Sequence, residues 1–306
     1  MLGWGGFWIL TLIWGSLYLL SRVGLESIDP THLTFIRLGI AAIGLNTIVI
    51  IRRLPIPTDR NTLFHLVLTG IGGVMLPVFL LSWGLQTVES GVGSVLQATA
   101  AIFTAVVSHF IFDDERLSWV KFTGVIISFI GVILLTQRNV ADITVQSTIE
   151  GQFAIILGAL FYGVFTIHSR ILMRRKIKPL VLSAVSVLVS AYGIGLMMLI
   201  QIMRGDLPIT VSATITPQAM MIILTLALVQ SFLAYLLYYE VVARIGAAHS
   251  TMVTYTIPPV ALLLGVIFLN ERLDMFLILG TGLIFCGIAL TKLSIFERLR
   301  RPAFQI

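Results

Sequence analysis

Ten apolar runs, each about as long as a bilayer is thick, constrain this chain more than any other feature. They cover residues 3–22, 31–51, 62–83, 90–111, 118–136, 149–169, 179–203, 217–239, 247–269 and 273–293. A helix needs ~20 mostly apolar residues to cross the hydrocarbon core. Only helices and closed barrels satisfy every backbone polar group there. The pattern predicts an all-α membrane protein of ten transmembrane helices. The connections are short and carry turn formers, as at Asp29-Pro30 and Arg204-Gly205-Asp206-Leu207-Pro208, and leave no room for a soluble domain. Composition agrees: 11% of the residues are charged, where a water-solvated domain carries ~25%. The first run lacks a basic n-region and a cleavage site, so it is read as a retained helix rather than a leader.

Lys and Arg orient such a chain, because moving them across the membrane is disfavoured. With the N-terminus inside, the inner segments hold fifteen of the twenty basic residues, among them Arg52, Arg53, Arg60, Arg174, Arg175, Lys176 and Lys178. The outer segments hold four, Arg22, Arg138, Arg204 and Arg272, and Arg37 lies within a helix. Both termini are therefore expected to be cytoplasmic, in a multi-pass protein of the plasma (cytoplasmic) membrane. The net charge of +6 is accounted for by topology, and no nucleic acid is expected as a partner. The single cysteine, Cys286, has no disulfide partner and no metal-ligand companions.

The chain repeats itself. Residues 112–117 read Phe-Asp-Asp-Glu-Arg-Leu and residues 268–273 read Phe-Leu-Asn-Glu-Arg-Leu, an offset of 156. The same offset pairs Ser94 with Ser250, Gly124 with Gly280, Phe129 with Phe285 and Gly131 with Gly287. The front halves match at an offset of 148, which pairs Gly3 with Gly151, Trp14 with Tyr162 and Gly15 with Gly163. The extra residues fall in Arg204–Pro217. Each copy, 1–140 and 141–306, holds five helices. Five is odd, so the second copy enters from the opposite side, giving two inverted-topology five-helix repeats. Such repeats occur in many secondary transporters, with the site at the repeat interface.

These features resemble the drug/metabolite transporter superfamily, specifically its EamA-type members. The resemblance rests on Trp14-Gly15-Ser16, on Pro30 followed by Arg37, and on the two Glu-Arg-Leu turns. It also rests on the glycines of helices 5 and 10 and on Pro258-Pro259 in helix 9. Helix 4 departs from the pattern, reading Ala101-Ile102-Phe103 without proline, and is expected to be the straighter of the pair. The resemblance implies a central cavity lined largely by helices 1, 3, 4, 6, 8 and 9. It also implies small organic substrates such as amino acids or nucleosides, often exported.

Several residues suit a cavity. Ser94, Gln97, Ala101, Thr104 and Ser108 share one face of helix 4, and Thr251, Thr254, Pro258, Ala261 and Gly265 share one face of helix 9. Small residues on such faces also serve close helix packing, but a mid-membrane amide such as Gln97 needs a polar neighbour. The aromatic set is Trp14 and Tyr18 on helix 1, Trp83 on helix 3, Tyr162 and Phe165 on helix 6, Tyr235 on helix 8 and Tyr255 on helix 9, with Gln230 beside them. Tyr and Trp offer a large apolar body and one polar handle. Trp4, Trp119, Tyr238 and Tyr239 suit an interfacial belt instead. Arg37 lies about two turns into helix 2, where burial at the centre costs about 2.5–3.5 kcal/mol on insertion scales. It is expected to reach outward to Glu26 or Asp29, with recognition of a substrate carboxylate as the alternative. Glu115 and Glu271 are expected to open helices 5 and 10 as N-terminal acids.

All fourteen Asp and Glu fall at or near helix ends or in loops, which favours facilitated diffusion, exchange or coupling through histidine over a carboxylate proton carrier. No hydrolase, zinc-protease or phosphate-loop motif is present, so an enzyme is disfavoured and no cofactor is demanded. The reading is a secondary transporter of small organic metabolites, foremost neutral or aromatic amino acids in the export direction, acting as a monomer or homodimer. The alternatives are a channel-like facilitator and an exporter of organic cations, drugs or nucleosides.

Overall fold

A computed structural model of the chain describes residues 2–112, 118–141, 147–175, 177–208, 216–250 and 252–300. Glu115 and Arg116, Lys176 and Thr251 lie outside the described residues. The chain is 86% helix, without strands among the described residues. Eight helices are long and apolar enough to cross a membrane: α1 (Gly3–Gly24), α2 (Pro30–Ile51), α3 (Arg60–Gly84), α4 (Ser90–Ile111), α5 (Trp119–Gln137), α6 (Ile149–Arg174), α7 (Pro179–Arg204) and α8 (Pro217–Tyr238). Two shorter apolar helices follow, α9 (Val253–Leu269) and α10 (Met275–Thr291).

Local chemistry sets the helix starts. Asp29, Asp59, Thr148 and Thr216 each accept a first-turn backbone N–H, which satisfies a donor the helix itself cannot. Pro30, Pro179 and Pro217 stand in the first turn, where a missing N–H costs nothing.

The packing follows the repeat. Helices α5 and α10 form one pair and α2 and α7 another. Helix α1 packs on α8 and α9, as α6 packs on α3 and α4. Exchanging the two repeats thus maps each of these contacts onto another. The α5–α10 crossing carries the symmetry at atomic level. A Cβ at Gly124 would meet the Gly287 carbonyl oxygen at 2.6 Å, and one at Gly131 would meet that of Gly280 at 2.6 Å. At the centre, Ser128 donates its hydroxyl to the carbonyl of Ile284, its own repeat equivalent, at 3.2 Å. Early residues of α5 meet late residues of α10, so the equivalent helices run antiparallel. Gly15 on α1 lies against Val260 and Ile257 of α9, and its equivalent Gly163 on α6 lies against Phe103 and Ala100 of α4.

Three details correct the sequence reading. The helix that includes α8 runs on to Ser250 and α9 starts at Val253, rather than at 247. Ala243, Gly246, Ala247 and Ala248 hold no proline to stop it. Second, α4 is the interrupted helix despite lacking proline. Its α-helical ladder breaks at Thr99, whose hydroxyl donates to the Leu96 carbonyl at 2.5 Å, whereas α9 holds Pro258 and Pro259 within one continuous helix. A hydroxyl bonding back to its own backbone competes with the helical ladder. Third, Glu271 does not open α10. Asp274 caps that helix, accepting from the Leu277 N–H at 2.8 Å. Asn270 ends α9 in the left-handed conformation (φ 54°), and Glu271 turns across to the N-terminus of α4. There it accepts the N–H groups of Ser90 (2.5 Å) and Gly91 (2.9 Å). A carboxylate suits that end of a helix dipole, but the helix belongs to the other repeat.

Candidate functional site

Both repeats contain a π-helical stretch, and the stretches are equivalent. In α3 it spans Ile71–Met75, and in α8 Leu226–Leu233. The offset of 156 carries residues 71–75 onto 227–231. Pro77 has no N–H for the Gly73 carbonyl, which loosens α3 at that point. In α8 the Ser231 hydroxyl donates to the Leu226 carbonyl, five residues back, at 3.0 Å. π-Bulges widen a helix and concentrate at functional sites.

Between these stretches lies a cavity of about 190 Å³, lined from both repeats by α1 to α4 and α6 to α9. One wall is aromatic. Trp14 meets Tyr238 at 5.6 Å and Tyr235 at 6.4 Å between ring centroids, and Tyr18 and Tyr162 line the same space. The polar groups are few: Arg37, Gln97, Gln230, Ser231 and Thr254. Among the described residues no Asp or Glu lines it.

Three of these polar groups are held by hydrogen bonds: Gln230 by Ser16, Ser231 by the Leu226 carbonyl and Arg37 by Ser231. Ser16 donates its hydroxyl to the Ile13 carbonyl at 3.0 Å, so it can only accept from Gln230. The Gln230 amide N–H₂ does donate to it, at 3.0 Å, which leaves the Gln230 Oε1 buried without a partner. The Oε1 of Gln97 is likewise unpartnered, two residues before the interruption of α4. Arg37 is 5% exposed. Its Nε makes one long contact to the Ser231 hydroxyl, 3.5 Å, and its Nη1 has no partner. Arg37 therefore lies over the cavity instead of reaching outward, and Asp29 is engaged as the cap of α2.

The structure thus brings Trp14, Tyr18, Gln97, Tyr162, Gln230 and Tyr235 to one cavity and leaves three expected residues elsewhere. Trp83 lies on an outward hollow beside Phe79 and Phe153. Phe165 packs its ring into the notch left by Gly72 and Gly73 of α3. Tyr255 packs against the hydrophobic core. Tyr238, expected in the interfacial belt, meets Trp14. The hydroxyls of Ser94, Thr104 and Ser108 are taken up by carbonyls of their own helix, so that face of α4 serves packing except at Gln97. Two larger hollows, of about 560 and 780 Å³, are lined mainly by outward apolar side chains such as Phe153 (65% exposed) and Phe110 (79%).

Sequence reasoning favoured an outward Arg37, with substrate recognition as the alternative, and missed Ser231 as a cavity residue. The signal for Arg37 was an isolated guanidinium in an apolar run. Ser231 adjoins Gln230, and a regular helix would turn it about 100° away. The π stretch brings both to the cavity.

The model of the EamA-like transporter family matches residues 3–137 and again 149–293. The chain is a member of the EamA-like transporter family. Its relatives extend over nearly the full length. It is 27% identical to the uncharacterized transporter YoaV of Bacillus subtilis, over 94% of this chain and 96% of that protein. It is 27% identical to the uncharacterized inner membrane transporter YedA of Escherichia coli K12, over 95% and 90%. It is 25% identical to a probable terminal-alkyne amino-acid exporter of Streptantibioticus cattleyicolor, over 96% and 95%. A crystal structure of another protein shares the fold, with a TM-score of 0.64, 16% identity and coverage of 97% and 98%. As an EamA-like transporter with eight helices long and apolar enough to cross a membrane, the chain is a multi-pass membrane protein.

Proposed function

We propose that this EamA-like protein is a secondary carrier that exports small organic metabolites, foremost neutral or aromatic amino acids, by alternating access. The observation that carries the reading is the cavity of about 190 Å³ between the two repeats, with an aromatic wall and a few fixed polar groups. Ligand sites are built this way, mostly apolar with a small number of placed polar atoms. The volume is below the ~300–1,000 Å³ of drug-sized pockets, which favours a single small solute over a bulky drug. Trp14, Tyr18, Gln97, Tyr162, Gln230 and Tyr235 are the residues assigned to it. The substrate class gains support from the relative named as a probable amino-acid exporter.

Both termini are assigned to the cytoplasm on the charge bias. Repeats of matching packing give inward-open and outward-open states of similar free energy, which is what alternating access requires. Counterflow in proteoliposomes tests the function, with labelled amino acids, nucleosides and organic cations as probes. Saturable uptake of one class, accelerated by the same solute inside, is the expected result. Flux that neither saturates nor responds to internal solute would make the protein a channel-like facilitator.

A further inference from the structure

Arg37 is a cation without an anion. It is 5% exposed, its Nη1 is buried and unpartnered, and no carboxylate lines its cavity among the described residues. Burying an ionised group is unfavourable unless it is paired. The fold nonetheless holds it in place from the other repeat, through the Ser231 hydroxyl of the α8 π stretch. Resting on the transporter reading above, we propose that Arg37 anchors the carboxylate of the transported solute, and that the unpartnered amide oxygens of Gln97 and Gln230 receive its ammonium group. The substrate class is then a small zwitterionic α-amino acid.

The unmet valences of the cavity match such a solute. A guanidinium presents donors in a planar fork that fits a carboxylate. Ser16 takes the Gln230 amide N–H₂, so the oxygen of this cavity-lining residue is left as a buried acceptor without a partner. Gln97 supplies a second free acceptor. Ammonium carries donors only, so two acceptors suit it. The rings of Trp14, Tyr18, Tyr162 and Tyr235 remain for an apolar side group. Other solute classes fit less well. An organic cation is repelled by Arg37, and an uncharged nucleoside leaves the guanidinium unpaired.

The test is binding to purified protein, followed by Trp fluorescence and by thermal shift. The probes are leucine, phenylalanine, their amides, and the decarboxylated amine phenethylamine. Wild type should bind the acids roughly 10- to 100-fold more tightly than the amides, the range of a lost charge-assisted pair. Arg37→Gln should bind acid and amide alike, and Arg37→Lys should recover part of the difference. Gln230→Leu should weaken leucine more than N-acetyl-leucine, which lacks the ammonium. Arg37→Gln removes an unpaired buried charge, so its melting temperature should not fall, and this separates lost recognition from lost fold. Equal affinity of wild type for acids and amides, no binding of either, or discrimination that survives in Arg37→Gln would each overturn the proposal. Counterflow of an uncharged or cationic solute beside such a result would leave the carrier standing and remove only the Arg37 anchor.

Discussion

The two repeats share a backbone plan and differ in the chemistry they present to the cavity. Both place a π stretch in their third helix, and both pack the glycine of their first helix against the fourth helix of the other repeat. The side chains at equivalent positions diverge. Arg37 corresponds to Val185, Gln97 to Val253, and the pair Gln230 and Ser231 to Val74 and Met75. Trp14 and Tyr162 are equivalent and both aromatic, as are Tyr235 and Phe79. For the proposed alternation symmetry is useful, because two states of similar energy need two halves of similar packing. It is not needed for recognition, because a single solute at the interface is itself asymmetric. One repeat can supply the charge and the other the hydroxyl that positions it.

Substitutions at equivalent positions of the two repeats should have unequal effects. The largest effect is expected for the aromatic pair. Trp14→Ala should lower transport more than tenfold with protein still folded in the membrane, because Trp14 touches both Tyr235 and Tyr238. Tyr162→Ala should lower it less, since Tyr162 is 47% exposed. Equal, unchanged kinetics for both would remove the pair from the site. Next come the equivalent glycines. A Cβ at Gly163 meets backbone, the Ala100 carbonyl at 2.9 Å and the Thr104 nitrogen at 3.0 Å, whereas one at Gly15 meets chiefly the Val260 side chain. Gly163→Ala should therefore cost more than Gly15→Ala, with overpacking of about 1–3 kcal/mol, read as melting temperature in detergent. The reverse order would show that α1–α9, not α4–α6, is the rigid crossing.

Glu271→Ala should destabilise by about 1.5–3 kcal/mol, the scale of hydrogen bonds to a charged group. Glu271→Gln should recover part of the loss, because an amide oxygen can still accept from Ser90 and Gly91. The smallest effect concerns the caps of α3 and α8. The Thr62 N–H holds the exposed Asp59 carboxyl below its ordinary range, while Thr216 caps α8 without a titrating group. A depressed folded-state pKa stabilises above the unfolded value and is lost as pH falls through the folded one. Asp59→Asn should thus lower the melting temperature slightly at neutral pH, with the difference from wild type vanishing at acid pH. Thr216→Ala should show no such pH dependence.

The ten apolar helices, eight of them long enough to cross a membrane, and the repeat were legible in the sequence because hydrophobic length and motif order survive any detail of packing. Six cavity residues were legible because polar and aromatic side chains mid-span have few other uses. Trp83, Phe165 and Tyr255 were not distinguishable from them, since composition does not say which way a helix faces. Phe165 is taken up by Gly72 and Gly73 of a different helix, a contact no local spacing encodes. Ser231 escaped because counting positions at a fixed angle per residue fails across a π stretch. The partner of Glu271 escaped for a similar reason: a capping acid is expected beside its own helix, and here it crosses to the other repeat.

Alternating access requires that one cavity between unlike repeats be reached from both sides of the membrane in turn. Thr254 lines it, and the exposed Cys286 can be removed as background. A Thr254→Cys, Cys286→Ala protein should be labelled by a membrane-impermeant thiol reagent from either face of oriented vesicles. A transported solute should slow both reactions. Labelling from one face alone, whatever solute is present, would contradict alternating access through this cavity.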